Sequence, residues 1–172
     1  GLDIEPLVHG GEQERGLRAG TENLPGIVGF GKACELVQRH RASGGDEALR
    51  EHRDRLEEAV RELVPDARRN GPQVERLPNT LNMTLPGIRG ESLVASLDRW
   101  GIAFSSGSAC KSGNPDPSHA LLAMGLSAEA AHCSVRFSLG HDVTTEDIDY
   151  VIDCLAKVIR DTHSAIRFVG CR

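Results

Sequence analysis

Short strand-like runs alternate with amphipathic helical segments through most of this chain, and that alternation restricts the fold more than any other feature. Residues 46–64 place Leu49, His52, Leu56, Ala59, Val60 and Leu63 on one face, charges elsewhere, and Pro65 at the end. Residues 76–85 then read as a strand: Leu77, Thr80, Leu81, Met83 and Leu85 are apolar or β-branched, and Pro86-Gly87 closes the run. A short helix over 91–100 turns Leu93, Val94, Leu97 and Trp100 inward, and a short strand over 101–104 follows. Ser118 caps a helix to Met124, and 134–139 form another strand. Thr144 and Asp147 form a near capping box at the start of a last helix with Ile148, Val151, Ile152, Leu155 and Ile159 on its core face. The expected class is α/β in the broad α+β sense, with helices packed on a small mixed sheet.

The first forty residues do not fit that unit. They are rich in Gly (Gly10, Gly11, Gly16, Gly20), a sign of positive φ or close backbone approach. Asn23-Leu24-Pro25 then opens a helix whose apolar residues are Ile27, Val28, Phe30, Ala33, Cys34 and Val37. The division expected is 1–40 as the end of another domain with its connecting helix, and 41–172 as a domain of its own.

Composition narrows the function. The chain is 39% hydrophobic and 26% charged, ordinary for a packed soluble domain. A net charge of −5 argues against nucleic-acid binding, and no apolar run is long enough to span a bilayer. The five Cys include no C-x-x-C pair and no zinc-ligand spacing, so no metal site is expected and the thiols point to a reducing, cytoplasmic setting. Only three Lys are present: Lys32, Lys111 and Lys157.

Three places could carry chemistry. Cys110 lies in Ser105–Pro117, a long run of small and turn-forming residues of the kind that is usually functional. A thiol there is reachable, though its unperturbed pKa of ~8.5 needs lowering for reaction. Cys34 and Cys154 instead fall on apolar helix faces and read as buried packing residues. Arg136 lies in the strand Ser134–Leu139; its planar guanidinium suits a carboxylate or phosphate, and an outward-facing strand residue fits the alternation equally well. Gly20-Thr21, just ahead of a helix, could offer N–H groups and a hydroxyl to a phosphate, although a turn plus N-cap explains the pattern more simply. His119 and His132 are both possible bases for Cys110, and spacing does not choose between them.

Taken together, these stretches resemble the C-terminal part of the cysteine desulfurases, pyridoxal-phosphate enzymes of the class V aminotransferase group. Residues 9–23 are similar to the family's H-G-G-G-Q-E-R-G-L-R-x-G-T-x-N, Leu77–Asn82 to L-P-N-T-L-N, Ser105–Cys110 to S-S-G-S-A-C, and Ser134–Gly140 to S-[IV]-R-F-S-L-G. The S-S-G-S-A-C form resembles the subgroup with a long active-site loop. The resemblance implies the small C-terminal domain of a fold-type-I enzyme preceded by the end of the cofactor domain. It implies that Cys110 takes sulfur from L-cysteine as a persulfide, leaving L-alanine. It implies that Arg136 binds the substrate carboxylate and that Asn79, in a motif near the active site, is also a substrate-binding residue. It implies that Thr21, with Gly20, reaches the phosphate of pyridoxal 5'-phosphate in the neighbouring subunit of a homodimer. The sulfur would pass to an acceptor such as an iron–sulfur scaffold protein or a tRNA-thiolation partner.

Two departures stand out. Glu12 replaces the third Gly of the family's G-G-G, and none of the three Lys has the S-x-H-K context that holds the cofactor. The chain alone is therefore expected to be inactive. A partner-binding or dimerising module from the same family, and a selenocysteine lyase, are the alternative readings.

Overall fold

The computed structural model describes residues 4–106 and 116–169, with side chains through Thr162. The chain divides between Ser43 and Gly44 into two compact units.

In the first unit a tight 3-10 turn, Gln13–Gly16, precedes helix α1, Leu24–Ala42. Asn23 caps α1 by accepting from the Gly26 N–H at 3.1 Å, and Pro25 sits in the first turn, as expected. The helix ends where Gly44 adopts φ 81°. The expected apolar face of α1 is not buried. Ile27, Val28, Phe30 and Val37 are more than half exposed, and Cys34, expected inside, is exposed too. A helical stripe buries itself only against a second layer, and this unit contains none.

The second unit runs α2 (Gly45–Leu63), β1 (Arg68–Arg69), β2 (Thr80–Thr84), α3 (Gly90–Asp98), β3 (Ser105–Ser106), α4 (His119–Ala123), α5 (Ala128–His132), β4 (Ser134–Ser138) and α6 (Thr145–Val169). The α+β class holds: helices pack on one small sheet of order β1-β2-β4-β3. That sheet is antiparallel at every pairing rather than mixed. Because β2 and β3 both oppose β4, they are parallel to each other, and α3 makes the crossover between them. The crossover leaves one slot open, and β4 fills it from the opposite direction.

Local boundaries shift for local reasons. The strand expected at 101–104 begins only at Ser105. Gly101 takes φ 72° and the Ile102 N–H bonds back to Leu97 O, so these residues complete the end of α3. Trp100, expected inward, is 44% exposed, with Lys157 over its ring at 5.3 Å and the Tyr150 hydroxyl donating to its carbonyl. β1 and α5 have no apolar pattern that would announce them.

Alternation along β2 and β4 sorts the sheet into two faces. Leu81, Met83, Val135 and Phe137 are buried on one, in a core with Leu56 and Val60 of α2, Leu93 and Leu97 of α3, and Ile148, Leu155 and Ile159 of α6. The expected cap of α6 is present in reciprocal form: Asp147 accepts from the Thr144 N–H at 2.9 Å, and Thr144 Oγ1 accepts from the Asp147 N–H at 3.2 Å. α2 departs from its expected pattern, since Arg53 and Glu57 are buried along with Leu49, Leu56 and Val60.

Candidate functional site

The second face of the sheet is polar. By register, Thr80, Asn82 and Thr84 of β2 lie opposite Ser138, Arg136 and Ser134 of β4, and Ser105 of β3 lies on the other side of Arg136. Arg136 thus occupies the middle of a three-strand row, Asn82–Arg136–Ser105. Its neighbours Val135 and Phe137 point into the core, so the outward alternation read from the sequence is present. The side chain is nevertheless half-buried, and its Nε is shielded from solvent with no hydrogen-bond partner among the described residues. A half-buried guanidinium with no carboxylate partner among the described residues is suited to bind an anion.

Asn79 acts differently. Its Nδ2 donates to Leu139 O at 3.2 Å and its own carbonyl accepts from the Leu139 N–H at 2.8 Å. It clips the start of β2 to the end of β4, three residues from Arg136, and so supports the strand that carries the Arg. Asn82, directly across from Arg136, was not singled out from sequence. Its signal was available only through the strand pairing.

Cys110, Lys111 and Cys171 lie outside the described residues. His119 is exposed at the start of α4, and His132 is half-buried at the end of α5. The remaining thiols divide clearly: Cys133 and Cys154 are buried and Cys34 is exposed. In the native chain a soluble alkylating reagent should therefore label Cys34 at least about tenfold faster than Cys133 or Cys154, because reaction needs an accessible thiolate. Mass mapping after timed quenching checks this; equal rates would show that the core opens as fast as it reacts.

In the first unit, Gly20 has φ 97°, and Arg18 Nη1 donates to the carbonyls of Gly20 at 2.7 Å and Thr21 at 3.1 Å. Both carbonyls are tied back and Thr21 is exposed, which leaves its N–H and hydroxyl able to serve a phosphate. Glu12 takes φ −87°, ψ 13°, ordinary for any side chain, so the missing Gly costs no strain there. The left-handed residues are the following Glu14 and Arg15, at φ 51° and 60°. These residues fit the phosphate end of pyridoxal 5'-phosphate. The described Lys residues do not fit its aldehyde: Lys32 is paired with Glu35 at 2.8 Å and Lys157 lies over Trp100.

The helix-backed sheet is shared with solved structures of NifS-like proteins. A NifS-like protein superposes with a TM-score of 0.79 at 35% identity, covering 93% of this chain and 40% of that one. The NifS-like protein of Rickettsia africae gives 0.78 at 32% identity, covering 93% and 41%. Residues 6–151 match the aminotransferase class-V family model, and the chain belongs to that family. Cysteine desulfurase IscS of Clostridium botulinum strain Hall is 49% identical over 162 residues, 93% of this chain and 41% of its own length. The cysteine desulfurase of Trichormus azollae is 48% identical over 159 residues, 92% and 40%. This chain thus spans about 40% of the length of such relatives.

Proposed function

We propose that this chain is the C-terminal portion of a cysteine desulfurase, which converts L-cysteine to L-alanine and holds the sulfur as a Cys110 persulfide. The observation that carries the reading is Arg136: half-buried, unpaired among the described residues, and adjacent to β3, the strand that leads into the Cys110 segment. Cys110 follows Ser105 by five positions in the sequence. Relatives named cysteine desulfurase, at 48–49% identity, support the same assignment.

In this reading Arg136 holds the substrate carboxylate by a bidentate fork and so fixes where the substrate sulfur lies. The Cys110 thiolate attacks that sulfur: an S–S bond forms, the substrate C–S bond breaks, and the carbon takes a proton to become alanine. Pyridoxal phosphate, when bound, supplies the electron sink for this cleavage. Gly20 and Thr21 would hold its phosphate from across a homodimer. The persulfide then goes to a sulfur acceptor, such as an iron–sulfur scaffold protein. A cytoplasmic location goes with the reading, because the thiol must stay reduced between turnovers.

Arg136→Lys in the full-length protein tests it. A point charge replaces a planar fork, and the KM for L-cysteine should rise by roughly tenfold, about 1–2 kcal/mol. An unchanged KM in a folded variant would return Arg136 to an ordinary strand residue.

A further inference from the structure

We infer that Asn82 is a second donor to the carboxylate that Arg136 binds, its amide set in one orientation by a chain of hydrogen bonds across the sheet. The inference rests on the reading of Arg136 as the carboxylate anchor and adds a residue to it.

The orientation of the amide follows from the protons. Ser134 Oγ lies 2.7 Å from Ala130 O, a carbonyl that can only accept, so the Ser134 hydroxyl proton goes there. Ser134 Oγ is also 2.7 Å from Thr84 Oγ1, so Thr84 donates to it, with Asn70 Oδ1 a second acceptor 3.1 Å from the same hydroxyl. Asn70 Nδ2 faces the hydroxyl oxygens of Thr84 at 2.9 Å and Ser134 at 3.2 Å as a donor. The same Nδ2 lies 2.7 Å from Asn82, so the Asn82 atom there is Oδ1. The Asn70 N–H also donates to the Asn82 carbonyl at 2.9 Å, which holds the two residues together twice. Ser134 and Thr84 are buried, so the order cannot be relaxed cheaply by water.

With Oδ1 turned to Asn70, the Nδ2 of Asn82 is its opposite end and makes no hydrogen bond to a described residue. Asn82 stands directly across from Arg136, and Cβ atoms of such a pair are about 4.5–5.5 Å apart. An amide NH2 and a guanidinium are both donors and cannot satisfy each other. Side by side on the polar face of the sheet, they can share one acceptor. A carboxylate has two oxygens in one plane, one for each donor.

The experiment uses the full-length protein and two readouts: calorimetric affinity for L-alanine, which carries the carboxylate without the reacting sulfur, and KM against kcat for L-cysteine. Asn82→Ala should weaken L-alanine roughly tenfold and raise KM similarly, with kcat little changed, the loss expected for a hydrogen bond to a charged group. Asn82→Asp keeps an oxygen for Asn70 but replaces the donor with a negative charge, and should lose more. A residue that merely clips the sheet would tolerate Asp, so native affinity in a folded Asn82→Asp variant overturns the inference, whether or not Asn82→Ala folds. Loss in Arg136→Lys with no loss in either Asn82 variant overturns the Asn82 role and leaves the Arg136 role standing. Native affinity in Arg136→Lys overturns the carboxylate site itself.

Discussion

Cys110→Ser in the full-length protein is expected to abolish sulfide release from L-cysteine while leaving bound cofactor at the parent level. The two effects separate because the thiol acts only once substrate is in place. A thiol with a pKa near ~8.5 needs a modest push to ionise at neutral pH, whereas a hydroxyl stays protonated and is a far poorer nucleophile. Among the described cysteines, Cys133 and Cys154 are buried, out of reach of a substrate. Sulfide assayed with a reductant, beside the cofactor absorbance of the same sample, gives both readings. Retained turnover in Cys110→Ser, with loss in a Cys133 variant, would mean that the nucleophile has been misassigned.

The largest expected effect on stability is at Glu57. Its carboxylate accepts from Arg61 at 2.9 Å, Arg69 at 2.7 Å and Arg76 at 2.8 Å, tying α2 to β1 and to the segment before β2. Burial pushes the carboxyl up, but the bonds from Arg61 and Arg76 and the charges of Arg76 and Arg69 outweigh it and hold Glu57 below the usual carboxylate value of 4.5. Glu57→Ala strands the mostly buried Arg69 guanidinium and leaves Arg76 only Asp54, at 2.9 Å, and should cost about 3 kcal/mol, seen as a lower urea midpoint at unchanged slope. The sign of the pH dependence follows from the lowered value. The contribution of Glu57 is complete above pH 4.5 and is lost as pH falls through its folded-state value. Glu57→Gln should remove that part of the acid sensitivity. A change within about 0.5 kcal/mol for Glu57→Ala would place this network with weak exposed ion pairs.

Features encoded within one or two helical turns were legible in the residues. The Asn23 cap, the Thr144–Asp147 box and the core stripe of α6 each depend on side chains three or four positions apart, and all are present. The alternation that turns Val135 and Phe137 inward and Arg136 outward is equally local. Pairing is not. Nothing near Asn82 or Arg136 in the sequence says that they are opposite each other, because α3, β3, α4 and α5 lie between β2 and β4 in the chain. The same distance hid Arg53 and Glu57. Both sit on a highly charged helix, and their burial became tolerable only when Leu77 O, Arg69 and Arg76 arrived from elsewhere in the chain as partners. Cys34 and Trp100 erred in the opposite sense: helical spacing shows which face is apolar, but burial requires a second surface to lie against it. The sequence by itself thus determined the elements, their caps and the chemistry available. The tertiary structure alone decided strand order, which charges are buried, and that Asn82, Arg136 and Ser105 share one row, since these depend on contacts between residues far apart in the chain.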